Sequence, residues 1–166
     1  MGILLDIKRK INKFEYTYYK INDIVKINEN NDYSKLEDYN KAESKDCNKA
    51  GIYIFFDKNK IPVYIGSAKS NHGLNNRIAM QLTPGKGNSS LSVNIAFYHK
   101  ECGNYINGKY EIKKSCVKRV LLKYINCFCI IQIKDENIVV DIEKYLIFKY
   151  KLKYNATYNI KKIIVD

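Results

Sequence analysis

The spacing of apolar residues changes period several times along the chain, and each change marks an element. From Gly2 to about Ile27, Ile3, Leu4, Ile7, Ile11 and Phe14 recur at i, i+3/i+4, which predicts an amphipathic helix with Lys8, Arg9, Lys10 and Lys13 on its other side. Residues 28–50 are polar and read as loop, with one short helix around Tyr33–Tyr39. Two short apolar runs follow, Gly51–Phe56 and Val63–Gly66, separated by Asp57-Lys58-Asn59-Lys60-Ile61-Pro62. They predict a β-hairpin, with Tyr53 and Phe55 on one face and Ile52, Ile54 and Phe56 on the other.

Downstream, residues 67–73 read as a polar loop, and Leu74–Leu82 as a helix whose stripe is Leu74, Ile78 and Leu82. That stripe sets Arg77 and Gln81 side by side along its edge. Breaker residues mark 83–90 as loop, Leu91–Glu101 as a helix and Cys102–Tyr110 as a turn region. Val117, Val120, Leu121 and Tyr124 then form the apolar side of a helix carrying Lys113, Lys114, Lys118, Arg119 and Lys123. Phe128–Ile133 predicts a well-covered third strand. Asp135-Glu136-Asn137 supplies capping residues for a helix from about Ile138 to Tyr150, with Val139, Ile142, Leu146, Ile147 and Tyr150 as its stripe.

Glu143 falls inside that stripe. A carboxylate on the buried side of a helix is expensive unless it is paired or bound to metal, so it is either a salt-bridge partner of a lysine or a functional group.

With 166 residues the chain suits one compact domain with an N-terminal addition. No run approaches the ~18 apolar residues that span a bilayer, so the expectation is a soluble, cytoplasmic protein with no membrane partner. The net charge of +12 is unevenly spread. Residues 1–50 hold ten Lys/Arg against nine Asp/Glu, whereas residues 51–166 hold nineteen against eight. A field of that sign attracts a polyanion, and nucleic acid is the commonest. The five cysteines form no Cys-x-x-Cys pair, and His72 and His99 lie at no metal-ligand spacing from them, which argues for reduced core thiols over a zinc site or a disulfide framework.

Gly51-Ile52-Tyr53 followed by Tyr64-Ile65-Gly66 resembles the signature of the GIY-YIG nuclease superfamily. The resemblance extends over roughly residues 50–158 through Arg77, Glu143 and, more weakly, Asn155. It implies an α+β fold, a small, mainly antiparallel three-stranded sheet flanked by helices. Residues 1–49 would then be a helical extension packing on the core, and 50–166 the nuclease domain. The long stretch 83–126 would be an insertion for DNA recognition.

By the same resemblance, Arg77 contacts the scissile phosphate, Glu143 is the single protein ligand of Mg2+ (with Mn2+ as the alternative ion), and Asn155 orders the site. Each has a plainer alternative: an exposed helical arginine, a salt-bridged glutamate, a turn asparagine. A tyrosine pKa near ~10 is too high for a base at neutral pH unless cations favour the phenolate. Lys69 and Arg77 are the cations at hand. Tyr53 is thus assigned as general base, Lys69 as its activator and Tyr64 as the group that positions water or phosphate. Arg77 stabilises the charge of the pentacovalent state.

Many superfamily members carry His or Tyr one helical turn after the arginine, where this chain has Gln81, which is neither acid nor base. Lys86, Lys113, Lys114, Lys118 and Arg119 are the candidate contacts to double-stranded DNA. Within the superfamily, a compact chain with an insertion between first helix and third strand resembles the stand-alone, site-specific type II restriction endonucleases, with a phage-type host-DNA-degrading endonuclease and a catalytically silent nucleic-acid-binding module as alternatives. The sequence does not determine the oligomeric state.

Overall fold

The structure, a computed structural model, describes residues 2–10, 16–21, 49–71, 73–82, 90–155 and 161–165. Its centre is the predicted hairpin. β2 (Gly51–Phe56) pairs antiparallel with β3 (Pro62–Ala68), and Tyr53 stands opposite Gly66. The Asp57 carboxylate closes the loop between them by accepting from the amides of Asn59 and Ile61, both at 2.9 Å. On its other side β2 pairs antiparallel with β6 (Cys127–Gln132), the third strand the sequence predicts.

A fourth strand was not expected. β1 (Tyr16–Lys20) pairs antiparallel with β6, giving the order β1-β6-β2-β3 with β3 at one edge. The N-terminal helix α1 is therefore short, Gly2–Lys10, and the expected continuation to Ile27 fails within Tyr16-Thr17-Tyr18-Tyr19. That aromatic, β-branched run favours a strand once β6 offers it an edge. The expected short helix around 33–39 lies outside the described residues.

The hairpin's two faces divide as alternation predicts. Tyr53 and Phe55 join one core cluster; Ile52, Ile54 and Phe56 join the other. The first face is covered by α2 (Leu74–Leu82) through Leu74, Ile78 and Leu82. The second is covered by α5 (Glu136–Tyr150), through Val139, Ile142 and Leu146, and by Ile3 and Ile7 of α1. Burying each such side chain contributes about 1.5–3 kcal/mol, enough to fix which way both helices face. Asp135 caps α5 by accepting from Asn137 N at 3.0 Å. α1 is tied to the far end of α5 by Asp6, whose carboxylate meets Lys149 Nζ at 2.5 Å and Tyr150 Oη at 2.7 Å.

Between α2 and β6 the chain forms α3 (Ser90–His99), the hairpin of β4 (Gly103–Ile106) and β5 (Lys109–Lys113), and α4 (Lys114–Tyr124). The expected turn region 102–110 is thus two strands joined at Asn107-Gly108, both with positive φ. β7 (Lys161–Val165) pairs parallel with β5 to complete a second sheet. Leu91, Ile95, Ala96, Val120 and Leu121 are fully buried in the same cluster as Tyr53, so α3 and α4 are built into the core beneath the hairpin. No described helix is long and apolar enough to cross a membrane.

Candidate active site

The two glycines of the hairpin are required by close approach. A Cβ on Gly51 would lie 2.1 Å from the Ile131 carbonyl oxygen, and one on Gly66 would lie 2.3 Å from both Cζ and Oη of Tyr53. The Tyr53 ring therefore lies across the backbone of β3. Tyr64 stacks beside it, ring centroids 6.4 Å apart at 30°, and both rings are buried.

Arg77 and Glu143 reach this place from opposite faces of the sheet, Arg77 on α2 and Glu143 on α5, around the edge strand β3. The Arg77 charge acts favourably on both the Tyr53 phenolate and the Glu143 carboxylate, and the Glu143 charge acts unfavourably on that phenolate. Tyr53, Arg77 and Glu143 thus share one electrostatic neighbourhood. Arg77 itself is exposed, free to meet an anion arriving from solvent.

Tyr53 differs from the expectation. Burial, then the neighbouring Tyr64, pushes its phenol well above the usual value, against the smaller favourable effects of Arg77 and of a hydrogen bond from Gln81. These surroundings hold the phenol proton more tightly than usual, the opposite of what a role as phenolate base calls for. Lys69 is exposed and follows directly on the last residue of β3.

Asn155 holds the strand that carries Tyr64 and Gly66. Its side chain pairs with both backbone groups of Ile65, accepting from the amide at 2.8 Å and donating to the carbonyl at 2.7 Å. It thereby completes the edge of β3 between Tyr64 and Gly66, as another strand would.

Two residues whose contacts the sequence does not reveal complete the arrangement. Ser67 Oγ donates a hydrogen bond to Glu143 Oε2. The sequence reading ends the strand at Gly66, but β3 continues to Ala68, so Ser67 shares the α5 face with Ile65. That i, i+2 relation was the available signal. Gln81 is buried, donates from Nε2 to Tyr53 Oη at 3.5 Å and accepts from Leu91 N at 3.0 Å, joining the phenol to the start of α3.

Glu143 is half-buried, and its carboxyl is raised above the usual range by desolvation, opposed first by the Ser67 hydrogen bond and then by Arg77 and Lys144. No group of three or more His, Cys, Asp or Glu assembles among the described residues. A single carboxylate with hydroxyl neighbours fits Mg2+, which keeps most of its waters and takes one or two carboxylates plus phosphate oxygens. Glu143 would hold such an ion.

Of the proposed DNA contacts, Lys113 is exposed at the end of β5, and Arg119 is exposed on α4 with Nη2 3.2 Å from Cys102 Sγ. Lys114 and Lys118 fall on α4, and Lys86 lies outside the described residues. Lys123 is engaged by Glu101 at 2.6 Å, which removes it from the cationic row expected on that helix.

Comparison with known proteins is sparse. No protein-family profile matches the chain, and no curated protein does. Among solved structures, the chain is similar to the GIY-YIG N-terminal endonuclease domain of UvrC from Thermotoga maritima, described with magnesium as its catalytic divalent cation. The identity is 24%, over 70% of this chain and 97% of that domain, with a TM-score of 0.40. A superposition of that extent assigns no activity, and the functional reading rests on the site's own residues.

Proposed function

We propose that the chain is a divalent-metal-dependent endonuclease that hydrolyses phosphodiester bonds of double-stranded DNA, cutting at defined sequences in the manner of a type II restriction endonuclease. One observation carries the reading: an exposed arginine and a half-buried carboxylate, on helices covering opposite faces of the sheet, share the electrostatic surroundings of a buried tyrosine pair on β2 and the edge strand β3. Phosphodiester hydrolysis calls for this combination of a cation for the phosphoryl oxygens, a metal-binding carboxylate and oriented hydroxyls. The excess of basic residues after position 50 supplies attraction for the polyanion.

Arg77 neutralises charge that develops on the phosphoryl oxygens. Tyr53, its hydroxyl fixed between Gly66 and Gln81, acts on the attacking water, and Tyr64 positions the water or the phosphate. Glu143 would hold Mg2+ or Mn2+, and the bound cation supplies an acidified water and further charge neutralisation. Residues 83–126, with Lys113 and Arg119 exposed, form the part that reads the DNA.

Digestion of a sequenced plasmid with Mg2+, followed by sequencing of the fragment ends, tests the proposal. Discrete fragments with one common end sequence support it. A smear favours the phage-type host-DNA-degrading enzyme. The upward-shifted Tyr53 phenol and the presence of Gln81 favour one second reading, a catalytically silent DNA-binding module. Tight DNA binding without cutting under either Mg2+ or Mn2+ would establish that reading.

A further inference from the structure

We propose that Ser67 is a positioning residue for the metal site, its hydroxyl fixing which oxygen of Glu143 faces the cation. The inference rests on Glu143 being the metal ligand and goes beyond it, because it assigns the ligand's orientation to a residue of the edge strand. An ionised carboxylate offers two oxygens and about four lone-pair directions, and a glutamate on a helix has three rotatable bonds with which to present them. Ser67 Oγ donates to Oε2, a charge-assisted contact of the stronger kind. Oε1 is then the oxygen left for an incoming ion, and the carboxylate plane is set by the serine.

The serine can do this because its own place is over-determined. It lies in β3 opposite Ile52 of β2, next to Gly66, whose backbone is covered by the Tyr53 ring. The strand is held two residues earlier by the double hydrogen bond between Ile65 and Asn155. A strand so constrained is a better reference for a metal ligand than the exposed side of a helix would be. The same strand carries Tyr64 and touches Tyr53, so one hydroxyl ties the metal ligand on α5 to the element that positions both tyrosines. Hydrogen-bond partners of metal-ligating carboxylates typically influence affinity by about 10–100-fold.

Mn2+ binding, followed by loss of the free aquo-ion signal in electron paramagnetic resonance, tests this on the whole chain without requiring turnover. Wild type, Ser67→Ala, Ser67→Thr and Glu143→Ala are compared, with thermal unfolding of each metal-free protein as the control for folding. The expected result is that Ser67→Ala weakens Mn2+ about 10–100-fold, that Ser67→Thr, which keeps the hydroxyl, restores most of the affinity, and that Glu143→Ala abolishes binding. Wild-type affinity in Ser67→Ala overturns the proposal while leaving Glu143 as ligand. Weak binding by both serine variants also overturns it, since the hydroxyl is then not what matters. Wild-type affinity in Glu143→Ala, or no binding by the wild-type chain, overturns the metal-ligand reading itself.

Discussion

Replacing Gly66 with alanine probes the contact on which the tyrosine pair depends. The new Cβ would stand 2.3 Å from Cζ and Oη of Tyr53 and 2.7 Å from its Cε2. Carbon atoms prefer roughly 3.5–4.0 Å, so the ring or the strand must move by more than about 1 Å. Tyr53 is only 2% exposed and is packed against Phe55 and Tyr64, which leaves it little space to yield. Overpacking of this kind costs about 1–3 kcal/mol. At about 2 kcal/mol the melting temperature of a chain this size falls by roughly 4–8 °C. Because the cost arises from one ring, it should vanish when the ring is shortened. In a Tyr53→Leu background, Gly66→Ala should cost less than about 0.5 kcal/mol, giving a coupling energy within the ~0.5–3 kcal/mol seen for contacting residues. Urea denaturation of the four proteins measures this. An equal cost of Gly66→Ala in both backgrounds would show that the glycine serves something other than the Tyr53 ring.

Other predictions concern the supports of the site. Asn155→Ala removes both hydrogen bonds to Ile65 and should cost about 1–3 kcal/mol; hydrogen exchange at the Ile65 amide should accelerate, and unchanged protection there would exclude the proposed clamp. His99 is held below its ordinary value of 6.5 mainly by burial, with Lys153 adding to the effect and Glu101 opposing it. The unfolded chain therefore takes up this proton first as pH falls. Stability should decline as pH drops below about 6.5 towards the folded-state value. His99→Gln, which keeps a partner for Tyr154, should flatten that part of the stability profile, and an unchanged slope between pH 7 and 5 would assign the decline elsewhere.

The parts of the fold legible in the sequence are those set by local periodicity. The hairpin shows in a two-residue alternation, α2 in an i+4 stripe, and α5 in a stripe that begins at its capping aspartate. What was not legible depends on pairing between distant segments. Tyr16–Lys20 becomes a strand because β6 offers it an edge, and β5 and β7 meet in parallel across some fifty residues. The site divides in the same way. Glu143 is conspicuous as a carboxylate in an apolar stripe, and Arg77 as the polar edge of one. The upward shift of the Tyr53 phenol follows from its burial in the cluster that α2 and α3 share, which no local pattern reports.

On the proposed mechanism, Glu143 and Arg77, on either side of β3, are both needed for DNA cleavage with a divalent cation. Cleavage of a mapped linear duplex in Mg2+ by wild type, Glu143→Ala and Arg77→Ala tests it most directly. The wild-type chain should cut, and each variant should lose at least about 100-fold, comparable to removal of one preorganised charge-stabilising group. Cutting by Glu143→Ala at the wild-type rate, or cutting by the wild-type chain that persists in EDTA, would contradict the account.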